Sequence, residues 1–291
     1  PFRARQLWRS LYHEGAQSFD EMTTLAKPFR ATLEERYRIS PIVPEVELRS
    51  ADGSTDKILF KLQDGELIET VLMRYGLDGH RRARRTVCIS TQAGCAMGCH
   101  FCATGHMGLE RNLTVGEIVA QALWASRLLR SEGRKLTNIV LMGMGEPFHN
   151  YANSLAALDR LNDTDGMAIG ARHITLSTVG ITPAIKRFAQ AERQERLAVS
   201  LHAATDELRS RLLPINQRYP LVPLLAPCRE YIELTGRRLS FEWALIDGIN
   251  DSTEQAQALC KLIAGMLCHV NLIPLNPTSD YDKVPASRAA A

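Results

Sequence analysis

Three cysteines in the run Cys95-Ala96-Met97-Gly98-Cys99-His100-Phe101-Cys102 are spaced as C-x3-C-x2-C, so one short loop can turn three thiolates toward a single soft metal centre. Three protein ligands leave the fourth position of an iron–sulfur cluster open to a small molecule. A zinc site would instead need His100 or His106 to complete a Cys3His set. Zinc sites usually pair two C-x2-C knuckles, and the chain has no second one. Cys88 lies just upstream, in an apolar run where a cysteine alone reads as a small buried hydrophobe. The total of seven cysteines is odd, and the crowding of four of them suits metal or redox chemistry in a reducing compartment better than a disulfide framework.

Positioning such a loop takes a scaffold, and the pattern from residue 86 onward supplies one. Short β-prone runs at Thr86–Thr91, Asn138–Met142, His173–Thr178, Leu197–His202, Leu239–Ile246 and His269–Pro274 alternate with stretches of helical spacing. Helices are predicted over Asn153–Leu161, Pro183–Ala191, Asp206–Leu213, Pro223–Leu234 and Thr253–Leu267. Another opens at Thr114-x-x-Glu117, a capping box. Six strands with intervening helices imply a parallel sheet, either an open barrel or a doubly wound sheet. The cysteine loop then follows the first strand, and Gly143-Met144-Gly145-Glu146-Pro147 follows the second. Ser177, the run Ser200-Leu201-His202, and Asn276 sit at the ends of the third, fourth and sixth strands. Such C-terminal strand edges are where α/β folds gather their ligands, although each polar residue taken singly reads as a strand-end cap.

Before residue 80 the pattern differs. Leu7, Trp8, Leu11 and Tyr12, then Phe19, Met22, Leu25 and Phe29, keep helical spacing until Pro41 and Pro44. Asp64-Gly65 between the alternating runs of 57–72 signals a β-hairpin. The expected organisation is a small helical and hairpin accessory module over 1–80 and a larger α/β core over 81–291.

Several stretches now carry a resemblance. The C-x3-C-x2-C loop with Phe101 before its last cysteine resembles the signature of radical S-adenosylmethionine enzymes. VCISTQAGCAMGCHFCATG, LMGMGEP, HITLSTVG, LAVSLHA, LPIN, FEWALIDGIND and NLIPLNP, in that order, are similar to the family that methylates C2 of adenosine in 23S rRNA and in some tRNAs. The resemblance implies a partial (βα)6 TIM-type barrel with the accessory domain at its N-terminus, a [4Fe-4S] cluster on Cys95, Cys99 and Cys102, and S-adenosylmethionine held by Gly145, Glu146, Ser177, Ser200, Leu201, His202 and Asn276. It also implies a catalytic pair, Cys88 resolving a protein–RNA crosslink through a transient disulfide and Glu69 as proton acceptor. On its own, Glu69 reads as an exposed strand carboxylate.

The chain departs from the family in one respect. The methyl-carrying cysteine should follow NLIPLNP by some dozens of residues, and Cys228, Cys260 and Cys268 do not match that position; all three are expected to be core residues. The opening Pro1 and the closing SRAAA are read as the ends of a fragment. The alternatives are C8 methylation, as in a sister group, and a non-catalytic iron–sulfur or zinc protein that binds RNA. A metal assay separates the last, since stoichiometric zinc would exclude the cluster.

Composition sets the outer limits. The 291 residues are 45% hydrophobic and 23% charged, which excludes disorder and collagen-like repeats, and no run approaches the ~20 apolar residues of a membrane span. The formal charge of +3 is too small to announce a nucleic-acid partner. Its distribution is more telling, with four arginines in His80-Arg81-Arg82-Ala83-Arg84-Arg85 and further basic residues at Arg3, Arg5, Arg9, Lys27, Arg30, Arg36 and Arg38. Such runs neutralise phosphates, though a solvated basic loop looks the same. A cytoplasmic enzyme is expected, acting on 23S rRNA and tRNA, with electrons from a flavodoxin- or ferredoxin-type reductant.

Overall fold

Pro44, read as a breaker, lies inside the first strand. In the computed structural model, which describes residues 2–76, 83–278 and 281–287, α1 (Phe2–Trp8) runs on into a π-helical turn over Arg9–Glu14 and is followed by α2 (Lys27–Arg36). β1 (Ile42–Arg49), β2 (Thr55–Leu62), β3 (Leu67–Tyr75), β4 (Arg84–Cys88) and the short β5 (Gln92–Gly94) come next, then α3 (Ala103–Met107) and β6 (Leu109–Asn112). Helices and strands then alternate: α4 (Val115–Ser131), β7 (Asn138–Leu141), α5 (Tyr151–Asn162), β8 (Ile174–Thr178), α6 (Thr182–Gln190), β9 (Arg196–Ser200) and α7 (Asp206–Leu212). The chain continues through α8 (Leu221–Thr235), β10 (Leu239–Leu245), α9 (Thr253–Leu262) and β11 (Cys268–Pro274). All six expected core strands form, as β4 and β7 to β11.

The chain divides into two compact units. One holds Pro1–Ala93, Asn112–Gly143 and Ala152–Ile174; the other holds Gly94–Arg111, Met144–Tyr151 and Thr175–Ala291. In the first unit β1 to β4 pair antiparallel in chain order, and β4 turns parallel to β7. One sheet face is dry: Ile58, Phe60, Ile68, Leu72 and Val87 are fully buried, as are Ile118, Ala122 and Ala125 of α4. Phe60 meets Trp124 edge-on, with ring centroids 5.5 Å apart. The capping box forms as the spacing requires, with Thr114 and Glu117 exchanging both hydrogen bonds at the start of α4. Arg74, buried on β3, bridges Asp56 of β2 and Glu132 beyond α4, each at 2.6 Å.

In the second unit β8, β9, β10 and β11 run parallel in chain order, with Leu176 opposite Leu197, Val199 opposite Phe241, and Phe241 opposite Val270. Among the described residues no helix is long and apolar enough to cross a membrane.

Several expectations need correction. Phe19, Met22 and Leu25, read as helical in spacing, are buried, but the chain reaches them through turns, because Gly15 ends the first helix in a left-handed conformation. They form a small core with Ala16 and Leu33, while Phe29 on α2 faces outward. Pro44 takes its place in β1 at a bulge between Pro44 and Val46, where a missing ladder bond is tolerated. α9 stops at Leu262 because Gly265 turns the chain, and it buries only Leu259. Its neighbour Cys260 is consequently exposed, Cys268 is half-buried, and of the three downstream cysteines only Cys228 is a core residue. Arg30 is also buried and hydrogen-bonds the Asp20 carbonyl, which withdraws it from the basic surface. Of the His80–Arg85 run, His80, Arg81 and Arg82 lie outside the described residues; Arg84 opens β4 over the ring of Tyr75, 4.5 Å from its centroid.

Candidate active site

The cysteine loop belongs to the second unit, and its own backbone shapes it. The Cys95 N–H donates to the Gly108 carbonyl at 2.6 Å, closing the loop at its neck. A Cβ on Gly94 would lie 2.0 Å from that same oxygen, so only glycine lets the two chain segments meet. Inside the neck, Cys102 N–H donates to Cys99 O at 3.1 Å, and His100 N–H donates to Leu212 O of α7 at 3.0 Å. The Nε2 of His106 lies 2.8 Å from the His100 carbonyl and is thereby engaged. Met97, Cys99 and Phe101 pack against a dry cluster that includes Val179, Leu208, Leu212 and Ile246.

Two of the three thiols feel neighbouring charge. Burial pushes Cys95 up to about 11, with the charges of Glu146 and Cys102 adding to it, and raises Cys99 further, helped by Cys102, Cys95 and Glu146. A set of mutually repelling potential anions in an apolar setting suits a cationic iron core, which would hold them as thiolates. Among the described residues no trio of His, Cys, Asp or Glu is already drawn into metal-ligand geometry. The donor set nonetheless fits the cluster: three soft ligands, with no fourth, on one closed loop.

Glu146 is buried, and both carboxylate oxygens take backbone N–H groups, Oε1 from Phe148 at 2.9 Å and Oε2 from Val179 at 2.7 Å. Burial outweighs these bonds and raises its pKa to about 7. Gly145 beside it adopts φ +97°, a backbone state natural to glycine. Ser177 is buried on β8, and Ser200 closes β9. Leu201 and His202 follow it, both buried, with His202 at φ +57°. His202 Nδ1 accepts the Ala244 N–H at 2.8 Å, its ring meets Phe101 edge-on at 4.8 Å, and burial with the nearby Arg209 charge lowers its pKa to about 3. It is a neutral positioning group. Asn276, past β11, is exposed.

Two side chains that the sequence reading did not single out organise these strand ends. Asn250 accepts the Ile246 N–H at 2.8 Å and donates to His202 O at 2.8 Å and Ala244 O at 2.7 Å, locking the turn that carries His202. Arg209 of α7 is fully buried among carbonyls. Asn250 falls inside the FEWALIDGIND stretch; Arg209 has no signal beyond its place in a charged helical run.

Cys88 and Glu69 belong to the first unit. Val71 on β3 pairs with Cys88 on β4, so Glu69, two residues along β3, is a diagonal neighbour of Cys88 on the same half-exposed face. The Cys88 thiol is pushed up to about 12, by burial first and by Glu69 as well, while a Met142 backbone hydrogen bond works the other way. Glu69 forms a cross-strand ion pair with Lys57 at 2.6 Å. Ser90 Oγ donates to the Glu69 carbonyl at 2.6 Å, and the buried Gln121 of α4 accepts from Thr70 Oγ1 and Ser90 N, both at 2.8 Å.

A parallel α/β unit with such a loop at a strand end defines a radical S-adenosylmethionine enzyme, and a model of the radical SAM superfamily matches residues 89–260. A model of the ribosomal RNA large subunit methyltransferase N-terminal domain matches residues 1–39. The dual-specificity RNA methyltransferase RlmN 1 of Myxococcus xanthus is 52% identical across 98% of this chain and 78% of its own length. A probable RlmN of Moorella thermoacetica is 48% identical across 100% of this chain and 82% of its own. The crystal structure of a radical SAM methyltransferase from Sphaerobacter thermophilus superposes with a TM-score of 0.95 at 52% identity, covering 99% of this chain and 83% of that one. The chain belongs to the RlmN family of dual-specificity RNA methyltransferases. It is a radical S-adenosylmethionine RNA methyltransferase of α/β fold, with a [4Fe-4S] cluster and S-adenosylmethionine as its cofactors.

Proposed function

We propose that this enzyme methylates C2 of an adenosine in 23S rRNA and in tRNA. The observation that carries the reading is the placement of Cys88 and Glu69 as diagonal neighbours on one sheet face, a thiol and a carboxylate outside the metal loop. Cys95, Cys99 and Cys102 hold the cluster, leaving its fourth position for the cofactor. When bound, the cluster and S-adenosylmethionine supply the radical and the methyl carbon. Glu146, both oxygens already fixed by backbone N–H groups, receives the cofactor's ammonium beside Gly145. Ser177, Ser200, Leu201, His202 and Asn276 complete the S-adenosylmethionine site.

Glu69 accepts the proton that leaves adenine C2, and Lys57 holds that carboxylate in place. Cys88 stays protonated, and so inert toward stray oxidants, until it resolves the protein–RNA adduct. The base must be unpaired or extruded for C2 to be reached. Residues 1–80 form the RNA-contacting module and 81–291 the radical core. The setting is the cytoplasm, with a flavodoxin- or ferredoxin-type reductant.

The test is anaerobic reconstitution with iron and sulfide, then reductant, S-adenosylmethionine and a 23S rRNA fragment or tRNA, read by mass spectrometry. The expected product is 5′-deoxyadenosine, and any methylated base formed is 2-methyladenosine. The C8 isomer, or unmodified RNA and no deoxyadenosine from a fully loaded cluster, would overturn the proposal. Deoxyadenosine with unmodified RNA would place the methyl-carrying thiol outside these 291 residues.

A further inference from the structure

Arg209 is a fully buried cation whose hydrogen bonds all end on uncharged oxygens. Nε donates to Leu201 O at 3.2 Å. Nη1 donates to Asn216 Oδ1 at 2.8 Å and Tyr219 O at 3.5 Å, and Nη2 to Val179 O at 2.7 Å and Ser200 O at 3.2 Å. All five guanidinium N–H groups are thereby spent, so the side chain has none left for a ligand. It clamps the chain just past β8 and β9, where Val179 also holds Glu146 and where Ser200 and Leu201 belong to the cofactor site.

A guanidinium buried without an ion pair is unfavourable unless negative charge lies near it. Asp206 is one source, but only through a relay: its Oδ1 accepts Asn216 Nδ2 at 3.0 Å and Leu221 N at 2.8 Å, and Asn216 in turn accepts Arg209. The cysteine loop packs against α7, the helix that carries Asp206 and Arg209. Leu212, one turn on from Leu208 and Arg209, accepts the His100 N–H through its carbonyl, and Cys99 packs into the cluster built by Leu208 and Leu212. Burial lowers the Arg209 pKa to about 10, and among the anions that raise it Cys99 outweighs Asp206.

We propose that Arg209 is a positioning residue that sets the reduction potential of the cluster, by keeping an unpaired positive charge beside the Cys99 ligand while its donors clamp the strand ends. This rests on the assignment of Cys95, Cys99 and Cys102 as the ligands. One electron from the reductant adds one negative charge to the cluster. A fixed neighbouring cation favours that reduced state, and net charge and burial are recognised determinants of iron–sulfur potentials. Asp206 opposes the effect by partly balancing Arg209.

The test is a potentiometric titration of the reconstituted full chain, with the reduced cluster read by electron paramagnetic resonance. Wild type, Arg209→Gln and Asp206→Asn are compared at one fixed potential after iron and sulfide are quantified. Arg209→Gln lowers the reduced-to-oxidised ratio about tenfold, equivalent to about 59 mV for one electron. Asp206→Asn raises the ratio, about threefold on the same scale. A purely structural role would move both variants the same way or leave both ratios unchanged, and either result overturns the proposal. If Arg209→Gln fails to hold a cluster, Asp206→Asn decides alone: a rise supports the proposal, and no change or a fall refutes it. A wild-type chain without iron and sulfide would instead refute the ligand assignment.

Discussion

Glu146 shows how one residue's environment yields a measurable signature. A carboxyl whose folded pKa is raised to about 7 from 4.5 holds its proton more tightly in the folded protein than in the unfolded chain. Its contribution to stability is therefore fully present below about pH 4.5 and is lost as pH rises through about 7. Denaturant unfolding of the metal-free protein should show this as a stability loss of about 3 kcal/mol across that window, and Glu146→Gln should flatten it. An unchanged slope in the variant would dissociate the carboxyl from this titration. At this scale the cysteine triad was visible in the sequence through its spacing, whereas Glu146, Cys88 and Glu69 stood out only by the family resemblance, since alone they read as a turn, a buried hydrophobe and an exposed strand carboxylate. Arg209 and Asn250 were not: a buried arginine and a surface one are written with the same letter, and only the packed strand ends reveal which carbonyls it serves.

The decisive element is the neck of the cysteine loop, where Gly94 and Gly108 approach. Gly94→Ala would force a Cβ to within 2.0 Å of the Gly108 oxygen and place alanine at φ +72°. The loop must then open, and iron content after reconstitution should fall several-fold while the far-ultraviolet circular dichroism of the sheet is retained. Full iron loading would show that the neck is dispensable. Among the elements, the six core strands and the capped helix α4 were legible, since their periodicity is carried by residues that the sheet and helix faces bury. β1 was not, since Pro41 and Pro44 are ordinarily breakers and this strand buries only Ile42. The stretch from Phe19 to Leu25 had helical spacing without a helix. A small core selects apolar residues wherever the chain delivers them, so spacing alone could not distinguish turns from a helix.

At the scale of the molecule, a net charge of +3 conceals an uneven distribution. Among the first forty residues Arg3, Arg5, Arg36 and Arg38 are exposed, whereas Arg30 is internal. If these exposed groups meet RNA phosphates, replacing Arg5 and Arg36 by Gln should reduce the slope of log affinity against log salt by about 1.4, roughly 0.7 for each single-strand phosphate that is no longer neutralised. Equal slopes for the variant and wild type in a filter-binding series would assign RNA binding to other residues. The basic bias of these first residues could be read from composition, but not which of the cations remain in water.

The bulge at Pro44 has a last consequence, for the company this protein keeps. β1 is the outermost strand of its sheet, and it leaves Val43, Val46 and Leu48 open to solvent. Such a margin is ordinarily an invitation to a second chain, which would add its own strand and begin a fibril. Here the bulge breaks the register within two residues of Pro44, so an arriving strand would find no continuous ladder to zip onto. The feature that hid the strand from the sequence reading also guards against polymerisation along that edge.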